Sequence, residues 1–78
     1  MEFDKLKEYL DGWAYGKNVD DVGDYLEEAG CRRYDEGYDD GGDAEDEYIM
    51  YMAYEVGKNN VILYYSNIDN LVTYIEYR

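Results

Sequence analysis

Residues 48–66 read YIMYMAYEVGKNNVILYYS. Two runs rich in aromatic and alternating apolar residues, Tyr48–Val56 and Val61–Ser66, flank the turn formers Gly57-Lys58-Asn59-Asn60. That pattern predicts two strands joined by a tight connection. Beyond Asn67–Asn70, the segment Leu71–Tyr77 holds Val72, Thr73, Tyr74 and Ile75, all strand formers, and predicts a third strand. A helix competes for the same residues, because Ile68, Leu71, Val72 and Ile75 also fit one helix face with Asn67 as its cap. We prefer the strand. Met50, Met52, Tyr54, Val56, Leu71, Ile75 and Tyr77 would then face the core. Tyr51, Glu55, Tyr64, Tyr74 and Glu76 would line the opposite face. A face that aromatic would serve either as a homodimer contact or simply as water-tolerant tyrosine surface.

Toward the N-terminus the period changes. Phe3, Leu6, Leu10, Trp13 and Ala14 recur at steps of three and four, which predicts a helix over residues 3–14 that Gly16 ends. Asn18 is placed as an N-cap with Asp20 and Asp21 behind it. Val19, Val22, Leu26 and Ala29 form the apolar stripe of a second helix over residues 19–29, with Gly30 as its C-terminal stop. Its other side shows Asp20, Asp21, Asp24, Glu27 and Glu28 with no Lys or Arg among them, so stabilising Glu-to-Lys pairs are missing. Residues 31–47 have no period. There Asp35, Glu36, Asp39, Asp40, Asp43, Glu45, Asp46 and Glu47 are joined by Gly37, Gly41 and Gly42, with Tyr34 and Tyr38 between them, which predicts a long acidic loop. The expectation is a single α+β domain over residues 1–78: two N-terminal helices, an acidic loop, then a three-stranded antiparallel sheet.

The charge is concentrated. Between Asp20 and Glu47 thirteen Asp or Glu residues stand against Arg32 and Arg33, a net −11 within a chain of net −13. Acidic composition alone would suit a disordered chain, but 46% hydrophobic residues and twelve tyrosines argue for a folded one. The single Cys31 excludes an intrachain disulfide and reads as a small hydrophobe after a helix. With no His and one Cys, a nitrogen-and-sulfur zinc site cannot be assembled. The start Met1-Glu2-Phe3-Asp4 is acidic and unlike a signal peptide. The longest apolar run, Ile49 to Tyr54, is too short to span a bilayer. The expected compartment is the cytoplasm.

Catalysis has little to work with. Ser66 and Thr73 are the aliphatic hydroxyls, and neither has a base at motif spacing. No catalytic residue and no cofactor is expected. Calcium fits poorly too: counted as an EF-hand from Asp35, the loop puts Gly37 at the third position and Asp40 where the glycine belongs. Gly41-Gly42-Asp43-Ala44-Glu45-Asp46 echoes a calcium-binding nonapeptide only once, with Ala44 out of place. No dedicated metal site is expected.

The geometry of charge is more informative. The five carboxylates of the second helix cover eight residue steps, roughly 12 Å at ~1.5 Å per residue. That is about one charge per 3 Å, against ~3.4 Å along one DNA strand. In size, charge and the acidic stretch Asp20–Glu47, the chain resembles the small phage-encoded DNA mimics, a class that includes inhibitors of the histone-like HU protein, anti-CRISPR proteins and antirestriction proteins. The class shares a strategy and no diagnostic motif, so no residue role is carried over. The resemblance implies an inhibitor in the host cytoplasm that occupies the DNA site of a basic host protein, binding no nucleic acid itself and needing no membrane. An HU-type target comes first, because such proteins grip the DNA backbone with little base specificity. On this reading the helix carboxylates form the rigid part of the mimic, and Asp35 to Glu47 the part that adapts on contact. Tyr34 and Tyr38 would either stack on basic side chains of the partner or anchor the loop. An acidic adaptor and a homo-oligomeric module remain the rival readings.

Overall fold

The computed structural model describes residues 2–41 and 45–78. Asp43, one of the expected partner-binding carboxylates, lies outside the described residues. Two helices come first, α1 (Phe3–Trp13) and α2 (Val19–Glu28). Strands β1 (Arg32–Gly41), β2 (Tyr48–Val56), β3 (Asn59–Ser66) and β4 (Val72–Tyr77) follow. The strands form one antiparallel sheet in chain order. The class is α+β with both helices first, as the sequence implied, but the sheet has four strands where three were expected.

The extra strand is β1, drawn from the segment predicted to be loop. Aspartate and glycine are poor strand formers, so local preference did not put it there. Tertiary pairing did: the ladder from Arg32↔Glu55 to Gly41↔Tyr48 satisfies the outer edge of β2, whose peptide groups would otherwise be left unpaired. Among the described residues no strand pairs with the other edge of β1. Nine of its ten residues are exposed and Gly37 is half-buried, so neither side shows the alternation by which strands are recognised. Its carboxylates also keep this open edge from pairing with other chains. The ladder breaks register between Arg33 and Asp35, and again between Tyr38 and Asp40. These bulges leave Tyr34 and Asp39 without opposite partners and re-aim the strand after each one.

At the hairpin the connection is shorter than the four residues expected. Asn59 and Asn60 already pair with Val56 and Glu55, and only Gly57 and Lys58 turn. Gly57 takes φ +63°, the left-handed value required at the first position of such a two-residue turn. Residues 68–77 resolve in favour of the strand. Asn67, read alternatively as a helix cap, instead accepts a hydrogen bond from the Tyr48 amide at 2.7 Å and so closes the end of the sheet. Leu71, expected in the core, is 36% exposed and falls before β4 in an isolated bridge with Asn18. The strand starts one residue later, where Val72 exchanges backbone hydrogen bonds with Gly16 and Lys17 of the α1–α2 connection.

Both helices lie on one face of the sheet. Leu6, Leu10 and Ala14 of α1 and Val19, Val22 and Leu26 of α2 pack with Met52, Tyr54, Val56, Val61, Leu63, Val72 and Ile75. Each fully buried Leu or Val contributes about 1.5–3 kcal/mol of transfer free energy. Met50, also expected inside, is only half-buried. The α1 helix is fixed at β4 by Tyr77, whose ring meets Phe3 edge-on at 6.1 Å and lies 5.2 Å beneath Lys7 Nζ. The Tyr77 hydroxyl donates to Asp11 Oδ1 at 2.7 Å. Burial, then this carboxylate, pushes the phenol well above its ordinary pKa. At the outer rim Tyr9, Trp13 and Tyr25 stack together, with Tyr9 and Tyr25 centroids 4.8 Å apart.

Candidate partner-binding surface

The α2 carboxylates follow from helix geometry. Asn18 caps the helix by accepting from the Asp20 amide at 2.8 Å, and Asp20 and Asp21 sit where the helix dipole favours anions. At about 100° per residue, Asp20, Asp21, Asp24, Glu27 and Glu28 cover roughly a 120° arc, opposite the buried Val22 and Leu26. All five are exposed. Glu27 and Glu28 fall in the last turn, which contains no basic residue and where the dipole disfavours anions.

The sheet divides the remaining carboxylates. Glu36, opposite core residue Met52, projects to the helix side, and Arg33 NH1 lies 3.7 Å from it. The α2 acids approach this side. The Tyr65 phenol is raised first by burial, then by Glu36 and Asp20 together. Tyr54 is likewise raised, chiefly by burial and opposed by Arg33, with Glu27 adding to the rise. Asp20 thus acts on the same two phenols as Glu36 and Glu27, so the α2 acids and Glu36 share the helix side of β1. Asp35 pairs opposite Ala53 and Asp40 opposite Ile49, which puts both on the far, helix-free side, and Asp39 borders a cavity there. Glu45 and Asp46 are exposed in the turn before β2. Glu47 is drawn inward, accepting a hydrogen bond from the Ser66 hydroxyl at 2.7 Å. Where a helix face and one adaptable loop were expected, the described carboxylates fall on two sides of the sheet and in a turn. Asp35, Glu36, Asp39 and Asp40 are held by a ladder, not carried on an adaptable loop.

The tyrosines separate as well. Without a bulge, Tyr34 and Tyr38 would share one face of the strand. The register shift after Arg33 flips everything that follows, so Tyr38 lies opposite Met50 on the helix side and packs against Tyr48 at 5.6 Å. Tyr34 instead borders the cavity on the helix-free face, together with Asp35, Asp39, Tyr51, Tyr64 and Arg78. Tyr51, Tyr64 and Tyr74 pair across three strands there, as the alternation implied. Tyr64 donates to Glu76 Oε1 at 2.9 Å, and burial with this carboxylate pushes its pKa up to about 12. Tyr51 donates to Asp35 Oδ2 at 2.9 Å, a bond that likewise raises its phenol.

Ion pairing is sparse. Among the described residues the pairs are Arg32–Glu55, Arg33–Glu36 and Arg78–Glu76, so none of the five α2 carboxylates is paired with a cation. No group of three or more potential metal ligands converges among the described residues, and no helix there is long and apolar enough to cross a membrane. Cys31 is buried, and desolvation pushes its thiol above the ordinary value. Comparison with family models, with curated proteins and with solved structures finds no match to this chain.

Proposed function

We propose that this chain is a DNA-mimic inhibitor that occupies the DNA-binding surface of a basic host protein. The observation that carries the reading is the α2 front: five exposed carboxylates along roughly 12 Å of helix, unpaired with any cation among the described residues. Maintaining such a face costs helix stability, since like charges repel at i,i+4 and two acids oppose the dipole. That cost is accounted for if a partner supplies the missing cations. Glu36 extends the front onto β1, and Asp35, Asp39 and Asp40 extend charge to the other side of the same edge strand. A basic groove that wraps a duplex would meet both sides.

An HU-type nucleoid protein is the first-choice target, because it holds DNA through backbone contacts with little base readout. Anti-CRISPR and antirestriction targets are the next readings, and the site of action is the host cytoplasm. The test is capture from a bacterial lysate at low salt, elution with duplex DNA and identification by mass spectrometry. A DNA-binding protein in the eluate is expected. Its absence, with the captured proteins unmoved by DNA, favours the adaptor reading. The helix-free face of the sheet supports a second reading, a homodimer, because Tyr74 is 57% exposed there beside the half-buried Tyr51 and Tyr64. A sedimentation mass of one chain at micromolar concentration removes it.

A further inference from the structure

The cavity on the helix-free face has a composition that bulk acidity does not explain. Two residues that the bulges of β1 leave unpaired, Tyr34 and Asp39, both border it. Bulges commonly re-aim side chains at functional positions. Here they deliver one aromatic ring and one carboxylate to the same depression. Tyr51 and Tyr64 come from the paired strands behind, each fixed by a hydrogen bond to a carboxylate, Asp35 and Glu76. Ala53 and Ile62, nearly buried, form the floor. The volume is about 270 Å³, below the ~300–1,000 Å³ of pockets that hold drug-sized ligands. It suits one side chain.

We propose that this cavity is an arginine cage, which takes a single guanidinium from the basic partner between Tyr34, Tyr51 and Tyr64 with Asp39 as counter-ion. A planar guanidinium stacks on tyrosine faces and bonds carboxylates through its fork, a combination an ammonium does not match. The chain itself supplies a stand-in. Arg78 lies at the border of the cavity, where Glu76 holds its Nε. A guanidinium thus already stands at the edge of this cavity, tied to Glu76 and not to Asp39. An incoming arginine would take the Asp39 side and compete with Arg78 for the rings. The assignment rests on the reading of a basic partner but is narrower than DNA mimicry, since any arginine-bearing surface would satisfy it.

The test is an NMR titration of the intact chain with the capped tripeptide acetyl-Gly-Arg-Gly-amide, alongside its neutral citrulline counterpart. Saturable shifts at Tyr34, Tyr51, Tyr64, Ala53 and Ile62 are expected with the arginine peptide and not with citrulline. Tyr34→Leu and Asp39→Asn should each weaken binding by about two- to fivefold, the scale of one exposed cation–π contact or ion pair. Arg78→Ala, which removes the internal competitor while leaving the backbone pairing to Asn60, should tighten it. Equal shifts with both peptides, shifts confined to the Tyr9–Trp13–Tyr25 cluster, or weaker binding after Arg78→Ala would each overturn the cage. Dispersed amide spectra of the variants establish that they fold. Were the cage to fail while duplex DNA still displaced the captured partner, mimicry would stand without it. The reverse result would leave an arginine-binding module that is not a DNA mimic.

Discussion

Gly23 and Tyr54 offer a sharp test of how the helix layer sits on the sheet. Gly23 is buried in the middle of α2, and a Cβ added there would overlap the Tyr54 hydroxyl. Tyr54 cannot swing aside, because it is 1% exposed and packed within the core. Gly23→Ala therefore overpacks the interface, at about 1–3 kcal/mol. Against this stands the helix preference for Ala over Gly, about 0.8–1.0 kcal/mol. The net is a loss of up to ~2 kcal/mol, or roughly 4–8 °C of Tm per kcal/mol for a domain of this size. Tyr54→Phe removes the hydroxyl, and the next atom, Cζ at 3.5 Å, is at ordinary contact distance. In that background Gly23→Ala keeps its helix gain without the overlap. The same substitution is thus destabilising in one background and stabilising by about 1 kcal/mol in the other. Urea unfolding of the four proteins, followed by circular dichroism, measures the coupling. A Gly23→Ala effect that agrees in both backgrounds within about 0.5 kcal/mol would refute the packing described.

Two further outcomes follow from the surface. Tyr64, pushed up to about 12, and Tyr77, also raised, bind their protons more tightly folded than unfolded. Their contribution to stability is therefore full below about pH 10, the ordinary tyrosine value, and is lost as pH climbs toward 12. Tyrosine Cζ shifts followed against pH should show Tyr64 titrating late, and a Tyr64 midpoint near 10 would contradict its burial together with the bond to Glu76. Glu28→Lys places a cation in the last turn of α2, four residues after Asp24. It should raise stability by about 0.5–1 kcal/mol while weakening partner capture. A variant that gains stability and captures equally well would show that the α2 face is only solvated surface.

Much of the fold was legible because the core imposes periods. Steps of three and four at Leu6, Leu10, Val22 and Leu26, and alternation at Met52, Tyr54 and Val56, are direct images of burial on one side. The same alternation placed Tyr51, Tyr64 and Tyr74 together on the open face. β1 was illegible for the converse reason. As an exposed edge strand it buries no side, so its sequence carries turn and charge signals and no period. Its existence depends on the unpaired edge of β2, a tertiary fact. The bulges at Tyr34 and Asp39 left no readable signal either, and they decide which face each later carboxylate takes. Tyr34 and Tyr38, equivalent in the sequence, therefore have different surroundings. The role of Gly23 carries no sequence signal, because it depends on the Tyr54 hydroxyl that packs beneath it from β2.

The α2 front sets the decisive measurement: a fluorescent duplex bound to a purified HU-type protein, titrated with this chain at several salt concentrations. Mimicry predicts full release of the duplex, no complex holding all three components, and a release constant that weakens steeply with added salt. Simultaneous binding of chain and duplex, or displacement indifferent to salt and to neutralisation of Asp20, Asp24 and Glu27, would contradict it.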